Sequence, residues 1–204
     1  MRIVAISDVH GLYENVHIPD GDVLVVAGDL TGYGTLDELY SFNNWIGKFN
    51  HPTKLVIAGN HNKEFETQAV IARKILSNAL YLEDNGIIIE GIKFYGSPWT
   101  PNYYNWAFML PARSKELTDK WSKIPDDVNV LITHGPPQGI LDKAYDESKT
   151  GDPTLRRRVE ELKYLKAHIF GHIHEGYGQQ PPFYNVAICN IRYEPVNPAT
   201  IIDL

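Results

Sequence analysis

The chain has 204 residues, 43% hydrophobic and 22% charged, the proportions of an ordinary globular protein and a length that favours one domain, 1–204. A formal net charge of −6 excludes a partner held by neutralising many phosphates, such as duplex nucleic acid, but leaves room for a small anion where a metal supplies local positive charge. The single cysteine, Cys189, excludes an intrachain disulfide and a thiolate zinc site, so any metal must be held by histidine, carboxylate and amide groups.

The opening "MRIVAISDVHG" has no long apolar run and meets Asp8 early, so a first strand is expected there rather than a signal peptide or membrane span, and the expected setting is cytoplasmic with no membrane contact. "RIVAIS", "DVLVVAG", "TKLVIAG", "NVLITHG" and "AHIFGH" are short, β-branched and apolar throughout, the pattern of strands buried on both faces. Five such runs imply a central sheet. Between the second and third, Leu36, Leu39, Phe42, Trp45, Ile46 and Phe49 recur at helical spacing, and Thr35 with Glu38 has the spacing of a capping box. Strand, helix, strand is the βαβ pattern of an α/β protein.

"NGIIIEGIKFYGS" reads as a hairpin turning at Glu90-Gly91, which makes the sheet mixed. "SPWTPNYYNWAF" lacks a period and is expected to be a structured surface loop, whose Trp99, Tyr103, Tyr104 and Trp106 either anchor it or stack on a base or aryl group. In "LRRRVEELKYL", Arg156, Arg157 and Arg158 share a helix with acidic residues and read as a solvated face. The tail gives further short strands. Nothing marks a linker or repeat, and nothing sets an oligomeric state.

Each buried run ends in polar groups: Asp8 and His10, Gly28-Asp29, Gly59-Asn60-His61, His134, and His172 with His174. In open α/β sheets ligands sit at the carboxyl ends of strands, so these residues are expected to converge on one crevice. Any one of them alone reads as a turn residue or a satisfied polar group. Together they form a nitrogen and oxygen donor set without sulfur, suited to Mn, Fe, Zn, Co or Ni, and too large for one tetrahedral ion. It suits two metals about 3.5 to 4 Å apart, the arrangement used for displacement at phosphorus. Ligating imidazoles must be neutral, so metal affinity is expected to fall as pH drops through about 6.5. His17, His51 and His168 read as surface or packing residues, and Cys189 as a small core residue.

The ordered series "DVH", "GDL", "GNH", "THG" and "GHIH", from Asp8 to His174, resembles the calcineurin-like metallophosphoesterase superfamily. "GSPWTP", "NWAF", "LITHGPPQGILD" and "FGHIHEGYG" resemble its metallophosphoesterase-domain (MPPED-type) branch of class III-like phosphodiesterases, over essentially the whole chain. The resemblance implies a four-layer αββα sandwich of two mixed β-sheets flanked by helices. It implies two divalent cations, manganese first among those named above, with Asp8, His10 and His174 holding one, Asn60, His134 and His172 the other, and Asp29 bridging. His61, with Asn60 beside it, would be catalytic.

The implied reaction is hydrolysis of a small phosphodiester, a 2′,3′- or 3′,5′-cyclic nucleotide or an aryl diester, by in-line attack of a metal-bridging hydroxide with His61 as acid. The alternatives are a phosphomonoesterase or protein phosphatase with the same metals, a nuclease acting on single-stranded ends, and a non-catalytic metal-binding scaffold for protein partners. The family usually has an acidic residue after "GNH". Here Asn62 stands there, which is expected to weaken the orientation of His61 unless Glu64 substitutes.

Overall fold

The structure is a computed structural model and describes residues 1–14 and 16–204. Its strands and helices run β1 (Arg2–Ile6), β2 (Val23–Ala27), α1 (Leu36–Ile46), β3 (Thr53–Ile57), α2 (Glu64–Thr67), α3 (Ala69–Ile75), β4 (Leu80–Tyr81), β5 (Asn85–Ile89) and β6 (Ile92–Ser97). They continue with β7 (Thr100–Pro101), β8 (Met109–Leu110), α4 (Lys115–Trp121), β9 (Val130–Thr133), α5 (Pro153–Glu161), β10 (Ala167–Phe170), a 3₁₀ turn at His174–Gly176, β11 (Gly178–Gln180), β12 (Phe183–Asn185) and β13 (Thr200–Asp203).

The five buried runs do not form one central sheet. β1, β2 and β3 belong to a sheet ordered β13-β1-β2-β3-β4, whereas β9 and β10 belong to another ordered β11-β12-β10-β9-β6-β5. Both are mixed: β13 pairs antiparallel with β1, and β5 and β11 pair antiparallel with β6 and β12. The reason lies in what covers each face. Successive strand residues point to opposite sides, so Ile3, Ala5, Val23 and Val25 meet Phe94, Val130, Ile132 and Ile169 of the other sheet. Val4, Ile6, Leu24 and Val26 face Leu39, Phe42 and Ile46 of α1 and Ala72 of α3. On the far side Tyr95 and Leu131 pack on Leu117 and Trp121 of α4 and Leu155 and Val159 of α5. The order helix, sheet, sheet, helix is the αββα sandwich. A sheet covered by another sheet has strands as uniformly apolar as one covered by helices on both faces, so the runs alone do not separate the two.

Local readings hold where short-range chemistry decides. Thr35 and Glu38 form both halves of the capping box at the start of α1. The hairpin of β5 and β6 turns through Glu90 and Gly91, both at positive φ (48° and 80°), the conformation a two-residue connection favours. The 97–108 loop gains a small parallel pair, β7 within it and β8 just after it, that braces it. Arg157 is exposed and Arg156 pairs with Glu160 at the surface, a solvated face as expected, but the Arg158 side chain is only 14% exposed and is held by Asp126, Glu161 and the Ile124 carbonyl. Cys189, His51 and His168 are buried, and His17 is exposed.

The sheets are also joined where the crevice opens. Ser7, just past β1, donates its N–H to Val186 O at 2.8 Å and accepts from Ile188 N–H at 2.9 Å. This stitch joins the end of β1 to the chain just past β12, the parallel neighbour of β10.

Candidate metal centre

Asp8, Asp29 and His134 are buried, His10 is 8% exposed, and all follow the C-terminal ends of β1, β2 and β9. Asp8, His10, Asp29 and His172 take left-handed backbone, with φ of 55°, 45°, 53° and 67°. That region is sparsely populated by non-glycine residues, and such strain concentrates at functional sites. It turns each chain segment sharply at the strand end and aims the side chain across the crevice. Nothing in the residue types announces it.

The Asp29 carboxylate is split between two tasks. Its Oδ1 accepts from the backbone N–H of His61 at 2.8 Å, while Oδ2 lies 3.7 Å from His10 Nε2 and 3.3 Å from His134 Nε2. It therefore stands between two histidines on different strands. Asp8 Oδ1 lies 3.4 Å from His174 Nε2 and 4.0 Å from His10 Nε2, and the two imidazole Nε2 atoms of His10 and His174 face each other at 3.3 Å. Asn60 Oδ1 lies 2.9 Å from His134 Nε2. Donor atoms of Asp8, His10 and His174 lie within 4.8 Å of one another, as do those of Asp8, Asp29 and His134, and of His10, Asp29 and His61. His172 belongs to none of these groups. Its ring packs edge-on against His134, centroids 4.9 Å apart, and its N–H donates to both Asp8 oxygens, at 3.1 and 2.9 Å.

Three histidines share a further device. His134, His174 and His61 each donate Nδ1–H to a backbone carbonyl, of Ala27, Asn190 and Gly32, at 3.0, 2.9 and 2.8 Å. A carbonyl can only accept, so the tautomer is fixed and Nε2 is left for the crevice, the pattern of metal-bound histidines. The donor set is one that divalent cations take: oxygen and imidazole nitrogen with no sulfur, Nε2 atoms turned inward, and two buried carboxylates between them. Asp8, His10, His174 and Asp29 fit one cation; Asp29, His134 and Asn60 fit another.

The electrostatics bear on this directly. Burial opposes charge on Asp8, but the hydrogen bond and charge of His174 overcome it and bring the carboxyl down to about 2. Burial likewise opposes ionisation of Asp29, and His134 holds it well below the usual range. The same pairs act on the imidazoles: burial resists their charge, yet Asp29 raises His134, and Asp8 raises His174, to about 9. Burial instead lowers His10 and His172 to about 4. A proton on His134 or His174, favoured by these carboxylates, competes with a cation for Nε2, so metal affinity is expected to fall as pH drops.

Glu64 does not take the place of the missing acidic residue. Its carboxylate accepts from Asn62 Nδ2 at 3.2 Å, and its partners do not include the His61 ring. Asn62 Oδ1 accepts from Gly59 and Leu30 N–H at 2.9 and 3.2 Å, and Nδ2 also donates to Thr31 Oγ1 at 2.9 Å. Its amide braces the turn that carries Asn60 and His61. An aspartate here would set a second carboxylate against Glu64.

The crevice opens into a cleft of about 290 Å³. His61 lies on its wall, in edge-to-face contact with Trp106 at 4.2 Å between centroids, and Tyr193, Tyr145 and Ile191 complete the rim. Tyr104 lies tilted by 28° to Trp106 with centroids 6.3 Å apart, whereas Trp99 is anchored away from the cleft by Asp84 at 3.1 Å. Among the described residues no lysine or arginine lines the cleft, and Glu175 adds a carboxylate. Tyr193, Tyr145 and Ile191 carry no signal in the sequence, because they come from loops far from any strand end.

Known proteins share this construction. The model of the calcineurin-like phosphoesterase family matches residues 1–176. The human metallophosphoesterase domain-containing protein 1 is 37% identical over 231 aligned positions covering all of this chain and 71% of its own length. A UPF0046 protein of Caenorhabditis elegans is 38% identical, with all of this chain and 60% of that protein covered. The crystal structure of TT1561 of Thermus thermophilus has the same fold, with a TM-score of 0.61 at 13% identity, covering 93% of this chain and 89% of that one. The donor groups at the ends of β1, β2, β3, β9 and β10 thus sit in a sandwich and a sequence pattern with known relatives, and the chain belongs to the calcineurin-like phosphoesterase family.

Proposed function

We propose that this chain, as one metallophosphoesterase domain spanning 1–204, is a two-metal phosphodiesterase for small diesters, cyclic nucleotides and aryl diesters among them. One observation carries the diester reading: beside two sets of donor groups, the cleft offers no lysine or arginine among the described residues and does offer Glu175. A phosphomonoester is a dianion near neutral pH and gains from cationic side chains beyond the metals. A diester carries one charge and does not need them. The same observation disfavours a phosphomonoesterase or protein phosphatase, and a duplex nucleic acid or membrane surface as partner.

Asp8, His10 and His174 would hold one cation, Asn60 and His134 with His172 beside it the other, and Asp29 both. Two divalent cations there, manganese first, would supply water activation and charge neutralisation at phosphorus. The chain's own groups do the rest. The His61 amide fixes the Asp29 carboxylate through Oδ1, and the Gly32 carbonyl keeps the His61 ring with Nε2 toward the cleft. From there His61 delivers a proton to the leaving oxygen, worth about 10²- to 10⁴-fold. Trp106 beside it offers an aromatic face to a ring on the leaving group. A non-catalytic scaffold has no use for a histidine fixed in this way. A single buried cysteine accords with a cytoplasmic setting.

The test is a panel with added manganese: bis(p-nitrophenyl) phosphate, p-nitrophenyl phosphate, and 2′,3′- and 3′,5′-cyclic nucleotides. Hydrolysis of diesters above the monoester is expected. A preference for the monoester, or no hydrolysis of any, would refute the reading.

A further inference from the structure

Glu38 does more than cap α1. Its carboxylate accepts from Gly32 N–H at 3.1 Å, from Thr35 N–H at 3.1 Å and Oγ1 at 2.9 Å, and from Tyr33 N–H at 3.2 Å through both oxygens. The N–H of Tyr33 and the C=O of Gly32 belong to one peptide unit. From the other side of that peptide, the Gly32 carbonyl accepts from His61 Nδ1–H at 2.8 Å. Carboxylate, peptide and imidazole therefore stand in one hydrogen-bonded line. A peptide whose N–H is bonded to an anion is a better acceptor at its oxygen, since bonds in a chain polarise one another by roughly 10–30% each. Asn62, meanwhile, turns its amide toward Gly59, Leu30, Thr31 and Glu64, and gives the His61 ring no charge.

We propose that Glu38 is a positioning residue for His61, acting through the Gly32–Tyr33 peptide where a direct carboxylate partner is lacking. It fixes the Nδ1–H tautomer and offsets positive charge on the ring while Nε2 also carries a proton. As the bond from phosphorus to the leaving oxygen breaks, that proton passes from Nε2 to the oxygen, and the ring returns to neutral with Nδ1–H in place. The kinetic part rests on the phosphodiesterase reading; the hydrogen-bonded line does not.

The test is the ¹⁵N–¹H NMR signal of His61 Nδ1–H, identified by its loss in His61→Ala. In the unaltered protein a coupling across the hydrogen bond from Nδ1 to the Gly32 carbonyl carbon is expected; its absence overturns the line without any variant at Glu38. Glu38→Gln keeps an acceptor and a capping box but removes the charge. Asp37→Asn removes the same charge from the same exposed turn, and Thr35→Ala loosens the cap while Glu38 keeps its charge. The signal should move upfield in Glu38→Gln and stay near its place in the other two. Diester turnover should fall about three- to tenfold in Glu38→Gln, more for an alkyl than a p-nitrophenyl leaving group, with metal content and KM unchanged. A shift no larger than in Asp37→Asn overturns the proposal. So does an equal shift in Thr35→Ala, which would make Glu38 a brace for the loop alone. If the unaltered protein hydrolyses no phosphoester, the functional reading fails while the NMR signal still decides on Glu38.

Discussion

Gly171 and Glu64 show how single residues set the centre. A Cβ on Gly171 would fall against Asp8 Oδ2 and the Ser7 side chain, so glycine is what lets β10 end beside that carboxylate. Gly171→Ala is expected to fold yet retain fewer than two metal equivalents, as counted by mass spectrometry of the purified protein; full retention would show that Asp8 tolerates the displacement. Glu64 is buried with Oε2 unpartnered, and burial raises its carboxyl from 4.5 to about 7. A folded-state value above the unfolded one means the acid stabilises the fold below about pH 4.5 and loses that contribution as pH rises to about 7. The stability of Glu64→Gln relative to the unaltered protein should rise by an amount on the order of 3 kcal/mol across that window and stay flat above it. Denaturant midpoints at pH 4.5, 6, 7 and 8 check this, and a constant difference would contradict it. The donor types that gather in the crevice were legible in sequence because they recur at the end of each buried run. The left-handed turns at Asp8, His10, Asp29 and His172 were not, since even aspartate and histidine, which enter that region more readily than most non-glycine residues, do so only occasionally.

At the scale of elements, the capping box of α1 and the Glu90-Gly91 turn were legible because both depend on contacts within a few residues. What Glu38 does beyond its helix was not, because the loop it braces meets His61 from another strand end. Asp152 at the start of α5 is a comparable junction. Its carboxylate caps α5 through Thr154 N–H at 2.7 Å and accepts from the Trp121 indole of α4 at 2.6 Å, all in buried surroundings. Asp152→Ala removes a cap and leaves a buried indole N–H without its partner, a cost of about 2 to 4 kcal/mol. Thermal unfolding should report it as a clear drop in midpoint. A change within about 0.5 kcal/mol would mean that water replaces the carboxylate at both donors.

Across the whole molecule, the two-sheet division was carried by the family resemblance and not by the apolar runs, whose burial reads the same under either arrangement. The convergence of strand ends was legible because an α/β topology gathers them on one side. The rim of Trp106, Tyr145 and Tyr193, and the absence of cations from it among the described residues, depended on how distant loops come together. No helix among the described residues is long and apolar enough to cross a membrane. We propose that two cations held around Asp29 make this cleft a phosphodiesterase. This is tested most directly by titrating manganese into metal-depleted protein at fixed pH while following hydrolysis of bis(p-nitrophenyl) phosphate. Activity should appear as the second equivalent per chain binds and level off there. Activity complete at one equivalent, or none at any manganese concentration, would contradict the two-metal account.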